Sequence, residues 1–113
     1  MVMLKPGQAL TLWHKAMMGQ VKDDDPDLTT RQMAILLSIY INPPPHTVRG
    51  LAAELNVTKP VITRALDTMG TMGLVARRRD ERDRRNVLVQ RTVDGARYLE
   101  RLGDLLVEKA TEV

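Results

Sequence analysis

Residues 58–90, TKPVITRALDTMGTMGLVARRRDERDRRNVLVQ, decide the fold of this chain. In their first half, apolar residues recur at the i, i+4 and i+7 spacing of one helix face, so the pattern predicts an amphipathic helix over residues 58–72. Thr58 is the expected N-cap, because its hydroxyl can accept a hydrogen bond from an early backbone N–H. Pro60 suits the first turn, and Gly73 can end the helix in a left-handed conformation.

The second half of the stretch changes period and predicts a β-hairpin over residues 74–90. Residues 74–78 and 86–90 have the pattern of two strands, and the charged sequence RDERDRR forms the tip between them. A helix followed by a basic hairpin is the layout of a winged helix. The predicted fold class is therefore mainly α with a small β-hairpin wing, a winged helix-turn-helix.

The hairpin and its flanks hold most of the positive charge. From Arg77 to Arg91 there are seven arginines and three acidic residues, a local balance of +4, whereas the whole chain carries +3. A basic element beside a polar helix face is typical of a nucleic-acid-binding protein. A merely solvated, salt-bridged hairpin is the other interpretation. The position of the charges directly after a helix-turn-helix pattern favours DNA binding.

Length and composition limit the class of protein. At 113 residues and 12.7 kDa, the chain predicts one domain, residues 1–113. It contains no cysteine, which excludes disulfides, thiolate metal sites and cysteine redox sensing. No apolar run approaches the roughly 18 residues that a membrane span needs, and the N-terminus lacks the pattern of a secretory signal. We therefore expect a cytoplasmic protein that does not act at a membrane.

Upstream of the decisive stretch, the sequence predicts three helices. The first covers residues 7–21. The second opens with a capping box at Thr29 and has an apolar body, which predicts a core helix that ends before the prolines 43–45. The third covers residues 47–55 and is followed by a short turn, so it completes a helix-turn-helix unit with the helix 58–72.

The helices at the two ends of the chain are candidates for a dimer interface. The last helix, predicted over residues 92–109, carries an apolar stripe, and the first helix, over residues 7–21, carries another. These stripes can pack within one chain or be shared between two chains. We favour a homodimer, because a small domain gains core by association. The predicted interface residues are Leu10, Trp13, Met17, Leu99, Leu102 and Leu106.

Residues 28–99 resemble the MarR family of bacterial winged-helix transcription regulators. The most specific part is DERDRR at residues 80–85 followed by TVDG at residues 92–95. These match the Asp-x-x-Asp-Arg-Arg wing and the Thr-x-x-Gly helix start of that family. The flanking helices are shorter than is usual in the family, so a small-molecule effector is possible but unsupported by the sequence.

The resemblance implies roles for single residues. The helix 58–72 would lie in the major groove, and the wing, residues 74–90, would place an arginine of the pair 84–85 in the minor groove. Asp80 or Asp83 would hold the wing arginines by ion pairs, which reduces the rotamer entropy lost on binding. Because Asp83 adjoins Arg84, we expect Asp83 to orient Arg84. The predicted DNA-binding residues are Thr58, Lys59, Pro60, Thr63, Arg64, Arg82, Arg84 and Arg85, with Asp80 and Asp83 as wing-positioning residues.

The predicted function is a sequence-specific, double-stranded DNA-binding transcription regulator. The alternative is a winged-helix scaffold that binds an acidic protein partner through the wing arginines, because a fold does not by itself determine function. The histidines, His14 and His46, lie far apart without carboxylate clusters, and no phosphate-binding or nucleophile motif is present. The Asp-rich run 22–27 lacks the ligand pattern of a calcium loop. We therefore expect no enzyme activity, no cofactor and no metal.

Overall fold

The computed structural model describes residues 3–113, within which the chain forms five helices and a small antiparallel sheet. The elements in chain order are α1 (Pro6–Lys22), α2 (Thr30–Ile41), β1 (His46–Thr47), α3 (Val48–Leu55), α4 (Lys59–Thr71), β2 (Val75–Arg79), β3 (Val87–Arg91) and α5 (Val93–Ala110). The predicted fold class, mainly α with a hairpin wing, is confirmed. None of the helices in the described part of the chain is long and apolar enough to cross a membrane.

Two compact units make up the chain. One unit, Leu28–Arg97, contains the helix-turn-helix and the wing and is called the reading unit. The other, the terminal unit, combines the described residues up to Asp27 with Tyr98–Val113. Helix α5 begins in the reading unit and ends in the terminal unit.

Helix α2 is the core helix of the reading unit. Its start is the predicted capping box, since the Gln32 N–H donates to Thr29 Oγ1 at 3.1 Å and the Thr29 N–H donates to Gln32 Oε1 at 2.8 Å. It ends at Ile41, just before the prolines, which cannot continue a helix. The largest fully buried side chains of the unit are Ile35, Leu36, Ile39, Leu51, Ile62, Leu66 and Met69.

Helix α3 is the first helix of the helix-turn-helix unit and starts one residue later than predicted. Thr47 is its N-cap, and the Thr47 hydroxyl accepts a hydrogen bond from the Gly50 N–H at 2.9 Å. Asn56 follows the helix in a left-handed conformation with φ 55°, which turns the chain toward α4. Helix α3 packs on α4, and the buried Ala52 provides a small side chain in this packed core.

Helix α4 lies between Thr58 and Gly73, close to its predicted bounds. Thr58 occupies the N-cap position, but its side chain makes no capping hydrogen bond, so that part of the prediction was wrong. The helix tolerates the missing cap bond because Pro60 has no backbone N–H, which leaves one donor fewer for a cap to satisfy. At the other end, Gly73 has φ 77°, and the Leu74 N–H donates to the Met69 carbonyl at 2.9 Å.

The wing is part of a three-stranded sheet with the order β1-β3-β2. Strands β2 and β3 form the antiparallel hairpin, in which Arg77 lies opposite Val89. Strand β1 pairs with β3 through His46 opposite Val89 and Thr47 opposite Leu88. The sequence did not predict β1, because two residues are too few to show the alternation of a strand.

Both hairpin strands begin one residue later than the predicted spans 74–78 and 86–90. Leu74 is buried at the end of the α4 turn and packs in the core before pairing begins. Asn86 belongs to the tip, where its N–H donates to the Asp83 carbonyl at 2.9 Å.

A polar junction at the start of α5 explains the Thr-x-x-Gly motif. The Tyr40 hydroxyl donates to the Leu74 carbonyl at 2.8 Å and accepts from the Thr92 N–H at 2.9 Å. Thr92 Oγ1 donates to the Gly73 carbonyl at 2.7 Å and accepts the Gly95 N–H at 2.9 Å, so Thr92 caps α5 as predicted. A Cβ at Gly95 would collide with the Tyr40 hydroxyl and the Leu74 carbonyl. Only glycine allows this close approach.

The terminal unit packs α1 against the second half of α5. Gly19 on α1 permits this contact, because a Cβ there would lie 2.9 Å from the methyl carbons of Leu105. Tyr98 is only 2% exposed, and its hydroxyl accepts a hydrogen bond from Gln20 Nε2 at 3.2 Å. An ion pair between Arg101 and Asp25, at 3.1 Å, closes one edge of the unit.

Tyr98 makes the stability of the terminal unit sensitive to alkaline pH. Burial raises the pKa of Tyr98 above its ordinary 10.0, the charge of Asp25 adds to the rise, and the hydrogen bond from Gln20 opposes it. A raised folded-state pKa stabilises the fold below the unfolded-state value, and this contribution is lost as pH rises through the folded-state value. We expect urea unfolding to show a steeper loss of stability at alkaline pH for the unmodified protein than for Tyr98→Phe. Equal slopes would contradict the assignment.

Candidate nucleic-acid interface

Helix α4 exposes one polar face and buries the other. Ile62, Leu66 and Met69 on the inner face are completely buried, and the sequence alternates these with charged and hydroxyl residues at helical spacing. The residues predicted to contact DNA from this element all lie on its exposed side: Thr58, Lys59, Pro60, Thr63 and Arg64.

The threonines of α4 differ in what their hydroxyls do. Thr68 Oγ1 donates to the Arg64 carbonyl at 3.2 Å, and Thr71 Oγ1 donates to the Asp67 carbonyl at 3.0 Å, so both bond back to their own helix. Within the described residues, no hydrogen bond involves the hydroxyl of Thr63. The Thr63 hydroxyl therefore differs from those of Thr68 and Thr71, which are bonded to their own helix.

The wing tip is shaped by two aspartates that act differently. Asp83 forms a bidentate ion pair with Arg85, in which both nitrogen–oxygen distances are 2.9 Å. Asp80 instead accepts the backbone N–H of Arg82 at 2.9 Å and so fixes the turn itself. The structure thus joins Asp83 to a wing arginine, whereas Asp80 makes no ion pair in the described part of the chain.

The pair with Arg85 favours the ionised form of Asp83. The pKa of Asp83 lies below its usual range because the Arg85 guanidinium donates to the carboxylate, because the Arg85 backbone N–H adds a second bond, and because Arg49 contributes positive charge. A lowered pKa means that the ionised carboxylate is kept until the pH falls through that lowered value.

Two other tip arginines have exposed guanidinium groups. The side chains of Arg82 and Arg84 form no ion pair with any described residue. The backbone at Arg84 is held from the strand, because Arg79 Nη1 donates to its carbonyl at 2.6 Å. The tip therefore presents arginines from an ordered backbone.

Two of the seven arginines belong to the fold rather than to the tip. Arg91 donates from Nε to the Ile39 carbonyl and from Nη2 to the Asn42 carbonyl, both at 2.9 Å, and its guanidinium lies 5.8 Å from the centre of the Tyr40 ring. It thereby caps the carboxyl end of α2. Arg77 pairs with Asp67 of α4 at 2.7 Å. The positive charge available to a partner is thus smaller than the number of arginines indicates.

Sequence reasoning missed Arg49. It is exposed in the first turn of α3, and its charge contributes to the lowered pKa of Asp83, so it lies near the wing tip. Arg49 comes close to the hairpin because Thr47 pairs with Leu88, which brings the start of α3 beside β3. A two-residue strand left no pattern from which this could be foreseen.

The described residues contain no cluster of three or more His, Cys, Asp or Glu side chains that could hold a metal ion. His46 is buried, and its Nε2 lies 3.1 Å from the Asn42 carbonyl oxygen, which is a structural contact.

Comparisons with known proteins agree with this geometry. A model of the MarR family matches residues 27–86, which is more than half of the chain. A search of curated proteins gave no match. Solved structures with the same fold include the S. aureus MepR–DNA complex, at 22% identity and TM-score 0.74, covering 88% of this chain and 79% of that chain.

Two further structures extend the likeness. The transcriptional regulator BldR from Sulfolobus solfataricus is 29% identical, with TM-score 0.64, and the match covers 97% of this chain and 84% of that one. The transcriptional regulator Tm0710 from Thermotoga maritima is 22% identical, with TM-score 0.67, over 92% of this chain and 68% of that one. The family match, together with the winged-helix geometry, shows that the chain belongs to the MarR family and is a DNA-binding transcription regulator.

Proposed function

We propose that the protein binds specific sites in double-stranded DNA with α4 in the major groove and the wing, β2 to β3, in the minor groove. The observation that carries the proposal is the presence, in one compact unit, of an exposed polar helix face and an ordered arginine tip. A helix fits the major groove, where each base pair presents a distinct pattern of donors and acceptors. The minor groove attracts arginine through its negative potential.

The polar face of α4 divides into two roles. Thr58, Lys59 and Pro60 stand at its N-terminal end, where phosphate contacts fix the position of a recognition helix on the duplex. Thr63 and Arg64 lie one turn further along and supply the base contacts. Arginine is the side chain that most often reads guanine, because its guanidinium can donate to both acceptors of the base edge.

At the wing, Arg84 and Arg85 are the proposed minor-groove residues, and Arg82 contacts the flanking backbone. Arg85 is pre-oriented by Asp83, so it loses less rotamer freedom on binding than an unpaired arginine would. Arg49 extends the same basic surface toward α3.

The protein acts as a homodimer through its terminal unit. The predicted interface residues Leu10, Trp13 and Met17 are 69%, 54% and 47% exposed, and Val21 on the same stripe of α1 is 78% exposed. So continuous an apolar stripe is typical of a surface that a partner covers. Leu99, Leu102 and Leu106 on α5 are half-buried and complete the proposed interface. We infer further that the dimer acts in the cytoplasm, without a cofactor or catalytic role.

The proposal is tested by selecting a duplex from a random-sequence pool with the unmodified protein. Binding to this selected duplex should exceed binding to the unselected pool, and both should weaken as salt concentration rises. Footprinting on DNA upstream of the protein's own gene would then locate a natural site. Absence of salt-dependent binding to any duplex would contradict the proposal.

Arg64→Ala tests direct readout. If Arg64 donates to a guanine edge, the substitution should cost about 1–3 kcal/mol on the selected duplex and much less on the unselected pool. Arg97→Ala is the matched control, because Arg97 is an exposed arginine outside the proposed interface. Equal losses on both duplexes would show that Arg64 contacts only phosphate.

A further inference from the structure

We propose that Asp67 and Arg77 form a positioning pair that sets the angle between the recognition helix and the wing. The inference rests on the proposed function and adds to it two residues that contact each other rather than DNA. Arg77 Nη2 lies 2.7 Å from Asp67 Oδ1, which is a short, charge-assisted hydrogen bond. Asp67 belongs to α4 and Arg77 to β2, so the pair joins the two elements that enter the two grooves.

The strand register explains why Arg77 can reach α4. Arg77 lies opposite Val89 in the hairpin, and Val89 is buried at 5% exposure. Residues that lie opposite each other in antiparallel strands point to the same face of the sheet. Arg77 is therefore on the inner face, toward α4, whereas Arg78 is on the outer face.

The base of β2 is anchored beside α4 by the buried Val75, and the pair lies two residues further along the strand. An open groove separates the two elements around the pair, and its lining consists largely of small side chains: Asp67, Gly70, Thr71, Val75, Ala76 and Arg77. The chain also connects α4 to β2 through the tight turn at Gly73, with φ 77°, and the buried Leu74 follows that turn. The Asp67–Arg77 pair adds a polar attachment between α4 and the exposed part of β2, beyond the buried base of the strand.

Asp67 is an acidic residue on the face of α4 that is proposed to contact negatively charged DNA. Asp67 follows Thr63 by one helical turn, so its carboxylate lies on the face that carries the proposed base contacts. An unpaired carboxylate there would repel phosphate, and Arg77 neutralises it. The pair is partly exposed, with 59% of the Asp67 side chain and 32% of the Arg77 side chain accessible, so it contributes little to stability. Its effect is expected in binding geometry.

The first test compares Asp67→Asn with Glu81→Gln. Both remove one negative charge from the reading unit, but Glu81 is an exposed wing residue with no ion pair in the described chain. Both should bind the unselected pool more tightly, because repulsion is reduced. Asp67→Asn alone should lower the preference for the selected duplex, by about tenfold. The same change of preference in both variants would overturn the positioning role.

A charge-swapped variant tests whether the pair itself, rather than either charge alone, is needed for the preference. Asp67→Arg alone should lose the preference for the selected duplex, and Asp67→Arg with Arg77→Asp should regain a large part of it, because the pair is rebuilt in reverse. If the double variant is no better than the single one, Arg77 contacts DNA itself and the positioning role is wrong.

A measurement without DNA separates this inference from the proposed function. The chain has no cysteine, so Thr68→Cys and Glu81→Cys place spin labels only on α4 and on the wing tip. In a labelled protein diluted with unlabelled protein, Asp67→Asn should broaden the distance distribution between the labels. An unchanged distribution would overturn the positioning pair even if DNA binding is normal. A broadened distribution in a protein without DNA affinity would instead refute the proposed function and keep the pair.

Discussion

The double substitution Trp13→Asp and Met17→Asp is expected to convert the protein into a monomer and to remove nearly all of its affinity for the selected duplex. Trp13 and Met17 on α1 are 54% and 47% exposed, so charging them disturbs the interior of the terminal unit less than charging the more buried leucines of α5 would. It places carboxylates in the middle of the proposed interface, where each would be buried without a partner. Sedimentation at micromolar protein concentration measures the change of mass.

The loss of DNA binding follows from the loss of the second reading unit. Two linked reading units bind a duplex more tightly than one unit does, by roughly 10²–10⁴-fold. A monomer also releases only half as many counterions from the DNA, so the slope of log K against log salt should fall by half. Ile41→Asp is the matched control, since Ile41 is 72% exposed on α2 in the reading unit and lies outside the proposed interface. A monomeric mass for the unmodified protein would contradict the proposed dimer.

The choice of α1 rather than α5 for this experiment comes from the structure. Leu102 and Leu106 are predicted interface residues, but both are half-buried within their own chain. Charging them would disturb the terminal unit whether or not a dimer forms. Substitutions in the exposed stripe on α1 therefore test dimerisation with less effect on the fold of the single chain.

Much of the fold was predictable because its signals are local. The capping box at Thr29 and the glycine end of α4 at Gly73 depend on neighbours within a few residues. Thr92 and Gly95 were recognised as a motif, but the reason for the glycine is not local. It lies in Tyr40, far away in the chain, whose hydroxyl occupies the space that a side chain would need.

The roles of the arginines were not predictable from their positions in the hairpin. Arg91 bonds to carbonyls of Ile39 and Asn42, and Arg77 bonds to α4, so their partners lie on other elements. From the sequence alone, Arg77 and Arg91 cannot be distinguished from the wing arginines that are available to a partner. The same limit applies to Asp83, for which adjacency along the chain predicted Arg84 as the partner. That prediction was wrong, because the backbone of the turn brings Arg85 to the carboxylate.

Replacement of the wing pair, Arg84→Ala with Arg85→Ala, should weaken DNA binding strongly while leaving folding nearly untouched. Both side chains are exposed, and the one ion pair that is removed, with Asp83, is on the surface. The melting temperature should therefore stay within a few degrees of the unmodified value, as expected for surface changes of about half a kcal/mol or less each. The slope of log K against log salt should flatten by roughly 0.9 for each phosphate that the variant no longer neutralises.

The sequence of the flanking DNA distinguishes minor-groove insertion from general charge loss. Narrow A·T tracts have an enhanced negative potential that favours an inserted arginine, so the unmodified protein should prefer the selected duplex with A·T flanks over the same duplex with G·C flanks. The double variant should lose that preference. Lys22→Ala with Arg97→Ala is the matched control, because it removes the same charge from exposed positions away from the wing, and it should keep the preference. A double variant with unchanged affinity, slope and flank preference would exclude the wing from the DNA interface, and an acidic protein partner would then become the better explanation of its arginines.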